Sequence, residues 1–277
     1  DLEDIDVVVF DIQDVGVRFF TYISTLFLVM EACAAQGKEL IVLDRPNPNG
    51  WYVDGPVLDP QLESFVGIAP LPVVHGCTIG ELAELFCGEY WVWQPCENLQ
   101  LTVVPCQNYN HRTPYELPVP PSPNLPNIRS VLLYPSVCFF EGTVVSLGRG
   151  TEMPFQVIGH PDFARDSFTF IPRSAPAAKH PPQEGVLCRG YDLRCIPLDS
   201  LRARQELDLS RLLGFYRDFP NKQSFFLENK YFDLLAGTRA LRQQIMEGKT
   251  EAEIRASWAR DLAAFKAIRQ RYLLYPE

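Results

Sequence analysis

Two carboxylates, an amide and a guanidinium stand close together in the stretch Asp11-Ile12-Gln13-Asp14-Val15-Gly16-Val17-Arg18. Carboxylates in such a cluster serve as general acid, general base or orienting acceptor, and an arginine can clamp an anion through two parallel N–H bonds. The competing reading is a salt-bridged turn with a helix N-cap. A second cluster, Asp44-Arg45-Pro46-Asn47-Pro48, is stiffened by two prolines, which reduces the entropy lost when a ligand is bound. Arg45 and Asn47 suit a carboxylate, hydroxyls or an acetamido group, with Asp54 and Gly55 close by, although an ordinary proline-fixed turn fits the same spacing. His75 precedes Gly76 and Thr78; a lone histidine at a strand end is more often a local hydrogen-bond residue than a ligand-binding one.

A third polar tract lies further along. Pro121-Ser122-Pro123-Asn124 and Tyr134-Pro135 lead into Glu141-Gly142-Thr143 and Arg149-Gly150-Thr151-Glu152. Core packing does not ask for so many small and charged residues between apolar segments, and the glycines would let backbone approach a ligand closely. A binding site is the preferred reading there.

The elements that must carry these residues follow from periodicity. Ile5–Phe10 is a short, valine-rich apolar run, as in a strand covered on both faces of a parallel sheet. A buried helix is expected over about Phe19–Ala35, closed at Gly37, then a strand at Leu40–Leu43. Thr78 with Glu81 three residues on forms a capping-box pattern for a helix reaching about Cys87, and Leu101–Val104 reads as a further strand. This βαβ rhythm predicts a Rossmann-like, doubly wound α/β sheet over residues 1–113, in which ligands sit beyond the carboxyl ends of the strands. The Asp11–Arg18 and Asp44–Asn49 clusters both fall at such ends.

From Pro105 the character changes, and prolines from Pro114 to Pro126 mark a boundary. A second, α+β domain is expected over 114–277. Strands are placed near Val131–Leu133, Phe168–Ile171 and Gly190–Ile196, and helices near Ser200–Phe219 and Lys230–Met246. Thr250 and Glu253 open a last helix running from about Glu251 to Tyr272. The charged residues of these helices read as solvated faces, and Trp91, Trp93 and Trp258 as core.

Net charge is −9, with the basic residues scattered among more numerous acids, so a nucleic-acid partner is not expected. No apolar run approaches the ~20 residues of a spanning helix. The chain has no initiator Met, and an N-terminal segment is expected to be missing from it. The eight cysteines show neither C-x-x-C nor zinc-ligand spacing and read as small buried hydrophobes, with Cys188 and Cys195 the one pair able to bridge across a hairpin. Nucleotide-binding glycine loops, G-x-S-x-G and H-E-x-x-H are absent, and no cofactor or metal is expected.

In order along the chain stand V-V-V-F-D-I-Q-D-V-G-x-R-F-x-T-Y-I, D-R-P-N-P, H-G-x-T-x-G-E-L-A, P-P-S-P-N-x-P, E-G-T-x-x-S-x-G-R-G-T, F-D-L-L-A-G-T and Y-L-L-Y-P. This series resembles the NamZ-type exo-β-N-acetylmuramidases, a glycoside hydrolase family first catalogued as a domain of unknown function. The resemblance covers essentially the whole chain. It implies removal of terminal β-linked N-acetylmuramic acid from peptidoglycan fragments, with muramyl saccharides as the partner. It further implies a Rossmann-like domain joined to a second domain with the site in the cleft between them, and export to the periplasm or the cell exterior. Family members also carry a segment ahead of the DIQD strand with a Glu-His-Gly motif, which this sequence lacks, and Asp54 stands where relatives tend to have Glu before Gly-Pro.

Muramic acid differs from glucosamine by a lactyl carboxylate, so selectivity asks for a cation, with Arg18, Arg45 and Arg149 the candidates. Hydrolysis asks for a carboxyl acid and a second carboxylate as base or nucleophile, or for one that orients the sugar's own acetamido group. These requirements nominate Glu141, Asp11 and Asp14 as catalytic, with Glu152 behind them. Arg18, Tyr22, Asp44, Arg45, Asn47, Asp54, His75, Asn124, Arg149, Thr151 and Glu152 are nominated as substrate-binding. Alternatives are a non-catalytic binder of wall sugars, or a metal-dependent α/β hydrolase with Mg²⁺ on Asp11 and Asp14.

Overall fold

The computed structural model describes residues 2–94, 96–164 and 168–277. The chain is mixed α/β and divides into two compact units, Asp1–Tyr115 with Arg260–Glu277, and Glu116–Ala259. The first division falls two residues beyond the one placed at 113/114. The end of the chain, which sequence reading had left with the second domain, counts with the first unit.

The first unit is built on strands β1 (Val7–Phe10), β2 (Glu39–Leu43) and β3 (Leu101–Val104), paired in parallel in the order β1-β2-β3. Helix α1 (Tyr22–Gln36) joins β1 to β2 and ends at Gly37, whose N–H and that of Lys38 meet the carbonyls of Ala34 and Cys33. Helix α2 (Ile79–Gly88) lies between β2 and β3, opened by the Thr78–Glu81 capping box. The register sets Val8, Leu40 and Leu101 in one row and Phe10, Val42 and Val103 in the next. Helix α2 packs against this face, because a Cβ on Gly80 would lie 2.6 Å from Val103 Cγ1.

The expectation that β1 is covered on both faces is corrected. Val7 is 39% and Val9 56% exposed. Among the described residues the strand pairs with β2 alone, and its side chains alternate between the helix-covered face and one that no described residue covers.

The second unit holds an antiparallel sheet, β4-β6-β5, of β4 (Val157–His160), β5 (Phe168–Phe170) and β6 (Cys188–Asp192). Around it stand α3 (Ile128–Val137), α4 (Leu198–Arg202), α5 (Ser210–Asp218), α6 (Tyr231–Ala236) and α7 (Ala240–Met246), and α8 (Glu251–Arg269) begins here. Phe140, Phe163, Phe215 and Phe225 form its aromatic core, with Phe163 stacked on Phe215 at 3.9 Å between centroids.

Three expectations are corrected here. Val131–Leu133 is helix, not strand: α3 is capped by Asn127, whose Oδ1 accepts from the Ser130 N–H, and Val131, Leu132, Leu133 and Tyr134 are all buried. An apolar run buried on every side carries no period that tells helix from strand. The single helix read over Ser200–Phe219 is two, because Asp208 Oδ1 accepts from the Ser210 N–H and starts a new N-terminus. The Lys230–Met246 helix is likewise broken, at the left-handed Gly237. In α8 the Thr250–Glu253 box forms as read.

The cysteines differ as well. Cys87 and Cys96 form a disulfide, while Cys188 is buried and free and Cys195 exposed and free. Trp258 is buried, but Trp93 is 65% exposed, touching Phe27 edge-on.

Candidate functional site

At the carboxyl end of β1, Asp11 meets Arg45 from the end of β2. Arg45 Nε and Nη2 both reach Asp11 Oδ1, at 2.7 and 2.6 Å, and the pair is partly open to solvent. Behind it lies a buried group. The Gln13 amide donates to the carbonyls of Asp14 and Pro46, and Asp14 Oδ2 accepts from the Gly16 N–H at 2.7 Å. His75 Nδ1 accepts from the Cys77 N–H, so Nε2 carries the imidazole proton, 3.7 Å from Asp14 Oδ2. Gln13 Oε1, Asp14 Oδ1 and His75 Nε2 are buried without a hydrogen-bond partner among the described residues. Unsatisfied buried polar atoms are costly and concentrate where a protein binds or reacts. Asp14 and His75 thus place a carboxylate and an imidazole side by side, 3.7 Å apart, with polar atoms left open beside them.

The neighbouring nominees are engaged in holding the fold. Arg18 is fully buried and donates through Nη1 to the carbonyls of Pro56 and Leu71; burial pulls its pKa down to about 9. Asp44 accepts four hydrogen bonds, from the N–H groups of Arg45 and Gly80 and the hydroxyls of Thr78 and Tyr275. Asn47 accepts from the Asn49 N–H and donates to the Cys77 carbonyl, and it packs so tightly on Gly16 (φ 82°) that a Cβ there would lie 2.1 Å from Asn47 Oδ1. Asp54 is buried and bridges Val74 through its backbone, and Tyr22 stands at the start of α1 with its ring edge-on to Phe20.

The second unit carries its own polar site. Glu141 lies in the tight turn Cys138–Gly142 after α3, and its Oε1 accepts from Arg149 Nη2 in an ion pair. Its other oxygen faces the Cys138 thiol at 3.7 Å, and burial holds that thiol well above the usual range, so it stays protonated. The Arg149 guanidinium lies over the Phe155 ring, 5.1 Å from its centroid. Glu141 and Arg149 line a cavity of about 550 Å³ together with Thr143, Lys179, Gln183 and Tyr231. That volume falls within the range of small-ligand sites, roughly 300–1,000 Å³. Burial lifts the Tyr231 phenol to about 12, which keeps it a hydrogen-bond donor at neutral pH.

Other nominees in this unit shape loops. Thr151 donates to the Gly148 carbonyl and accepts from the Met153 N–H, Asn124 donates to the Ala177 carbonyl, and Glu152 is exposed. The structure therefore brings together Asp11 with Arg45, Asp14 with His75, and Glu141 with Arg149. Sequence reading did not nominate Tyr231, Lys179 or Gln183. Lys179 and Gln183 lie in a proline-broken stretch with no periodic signal, and Tyr231 was hidden in an expected helix; its place just ahead of F-D-L-L-A-G-T was the available hint.

A family model described as Exo-beta-N-acetylmuramidase NamZ, N-terminal, matches residues 1–129, and its C-terminal counterpart matches residues 132–275. The chain is 37% identical over 290 aligned positions to the peptidoglycan beta-N-acetylmuramidase NamZ of Bacillus subtilis (strain 168), covering 99% of this chain and 68% of that protein. A crystal structure of a DUF1343 family protein from Bacteroides fragilis NCTC 9343 superposes with a TM-score of 0.92 at 47% identity, over 98% of this chain and 76% of that one. A second from the same organism gives 0.78 at 29% identity, over 99% and 76%. With the two family models matching residues 1–129 and 132–275 of it, this chain belongs to the NamZ exo-β-N-acetylmuramidase family.

Proposed function

We propose that this chain is an exo-acting glycosidase that removes terminal β-linked N-acetylmuramic acid from peptidoglycan fragments. The observation that carries the reading is the Glu141–Arg149 pair set in a sugar-sized cavity beside the Tyr231 phenol. In hydrolysis the glycosidic C–O bond breaks, the leaving oxygen takes up a proton and water adds to the anomeric carbon. Glu141, committed to a guanidinium, suits the accepting role: it orients the acetamido N–H or takes the proton of water. Tyr231 O–H suits donation to the acetamido carbonyl or a ring hydroxyl. Asp14 lies 3.7 Å from the His75 imidazole, and Asp11 is held by Arg45.

Among the described residues no three His, Cys, Asp or Glu side chains are grouped to hold a metal ion. We read the three-stranded parallel sheet as Rossmann-like. We also infer export, supported by the Cys87–Cys96 disulfide, since such bonds persist in oxidising compartments. No helix among the described residues is long and apolar enough to cross a membrane.

The test is turnover of a chromogenic β-N-acetylmuramide by wild type and Glu141→Gln. Turnover by wild type and its loss in a variant that melts at the wild-type temperature are expected. A Gln variant that turns over normally would remove Glu141 from the chemistry.

A further inference from the structure

The cavity around Glu141 contains three cationic or imidazole side chains, and they differ in how far they are already committed. Arg149 is bound to Glu141 and laid on Phe155. His180 is 92% exposed, with Glu184 3.8 Å from its Nδ1. Lys179 lines the cavity and has no carboxylate within ion-pair distance among the described residues.

The loop carrying Lys179 is fixed on both sides to the segment that carries the ion pair. Ahead of it, the Arg173 N–H donates to the Gly150 carbonyl at 2.9 Å. Beyond it, the Gln183 amide donates to the Val144 carbonyl at 3.0 Å. Between these points Ala175 and Ala178 exchange two backbone hydrogen bonds, and the Asn124 amide holds the Ala177 carbonyl at 3.1 Å. Gly150, at φ 77°, is what allows the approach: a Cβ there would lie 2.2 Å from the Arg173 carbonyl oxygen. The glycine of the Arg-Gly-Thr motif thus admits this loop, where sequence reading had it admit a ligand. A cation held on a pinned loop loses little freedom when it meets an anion.

We infer that Lys179, and not Arg149, meets the lactyl carboxylate of the sugar and is the residue by which the cavity prefers N-acetylmuramic acid to N-acetylglucosamine. This rests on the proposed substrate. The argument is one of charge: Glu141 and Arg149 cancel, so a sugar carboxylate entering the cavity finds one uncompensated cation on its wall. Because Lys179 is exposed, salt screens the attraction, and the preference weakens as ionic strength rises.

The experiment compares wild type, Lys179→Met and Lys179→Arg on a paired chromogenic β-N-acetylmuramide and β-N-acetylglucosaminide. Lys179→Met should raise KM for the muramide about 10- to 100-fold with kcat close to wild type, the loss of one charge-assisted contact. KM for the glucosaminide, melting temperature and the activity of Lys179→Arg should stay near wild type. An unchanged muramide KM in Lys179→Met overturns the inference. Should the wild type hydrolyse neither glycoside, the proposed function fails on its own. Calorimetric binding of the two free sugars then decides: a wild-type preference for N-acetylmuramic acid lost in Lys179→Met upholds Lys179, and a preference retained or never present overturns it.

Discussion

Phe155 holds the guanidinium of Arg149 on its ring while its own backbone sits in the left-handed region, at φ 58°. A buried aromatic residue in that region carries about 1–3 kcal/mol of strain, which persists only where the surroundings outweigh it. Here they do. The ring is 1% exposed and edge-on to Tyr134 at 5.1 Å, and the Phe155 N–H reaches the Leu147 carbonyl at 2.7 Å. Phe155 is therefore a positioning residue for Arg149, and through it for Glu141.

Truncation separates the two effects. Phe155→Ala should destabilise the protein by about 3–5 kcal/mol in urea denaturation, since it removes the ring and keeps the strain. Phe155→Gly should be more stable than Phe155→Ala by about 1 kcal/mol, because glycine accepts the positive φ freely. Both should lower kcat/KM for the muramide about 10- to 100-fold through misplacement of the ion pair. An Ala variant as stable as the Gly variant would show that the left-handed backbone is not retained.

Arg18 was nominated as an anion clamp, and its place in the fold predicts a different phenotype. Its guanidinium ties the carbonyls of Pro56 and Leu71 at 2.8 and 2.6 Å, beside its own N–H on the Val73 carbonyl. A lysine ammonium could also serve two carbonyls, but its shorter, flexible stem does not hold the nitrogen where Arg18 Nη1 stands. Arg18→Lys should cost about 3 kcal/mol of stability, from charge-assisted bonds weakened in a buried setting. At temperatures where the variant is folded, its KM for substrate should match wild type. A raised KM with unchanged melting temperature would restore the clamp.

How much of this was legible in the sequence depended on whether the signal was local. The Thr78–Glu81 box and the Gly37 stop announce helix ends through bonds spanning three or four residues, and both formed as read. Glu141 and Arg149, nominated within one polar tract and eight residues apart, are joined in the fold. What failed needed partners distant in the chain. Nothing near Asp44 reveals that Tyr275 will occupy one of its oxygens, and nothing near Arg18 reveals the carbonyls of Pro56 and Leu71. Both carry the residue types of a site, and only the fold shows Asp44 taken up by four hydrogen bonds and Arg18 tied to two backbone carbonyls. The Cys87–Cys96 bond is missed for a similar reason, as pairing among eight cysteines is set by where the chain brings them.

Asp44 also makes a prediction in pH. Burial raises its pKa above the ordinary aspartate value, against the opposing pull of bonds from Tyr275, Thr78, Gly80 and Arg45. A carboxyl group whose folded pKa is raised holds its proton more tightly folded than unfolded. Its contribution to stability is complete below the unfolded pKa and is lost as pH rises through the folded one. Asparagine fits the same pattern without titrating. Its oxygen can accept from the Arg45 and Gly80 N–H groups, and its amide can donate to the Thr78 and Tyr275 hydroxyls. Asp44→Asn should therefore lie within about 1 kcal/mol of wild type at acid pH, one hydrogen bond's worth. It should gain on wild type as pH rises towards neutrality, with KM for the muramide unchanged. Urea denaturation across a pH series measures the difference, and a wild type that instead gains on the variant with rising pH would mean that the hydrogen bonds to the carboxylate outweigh its burial.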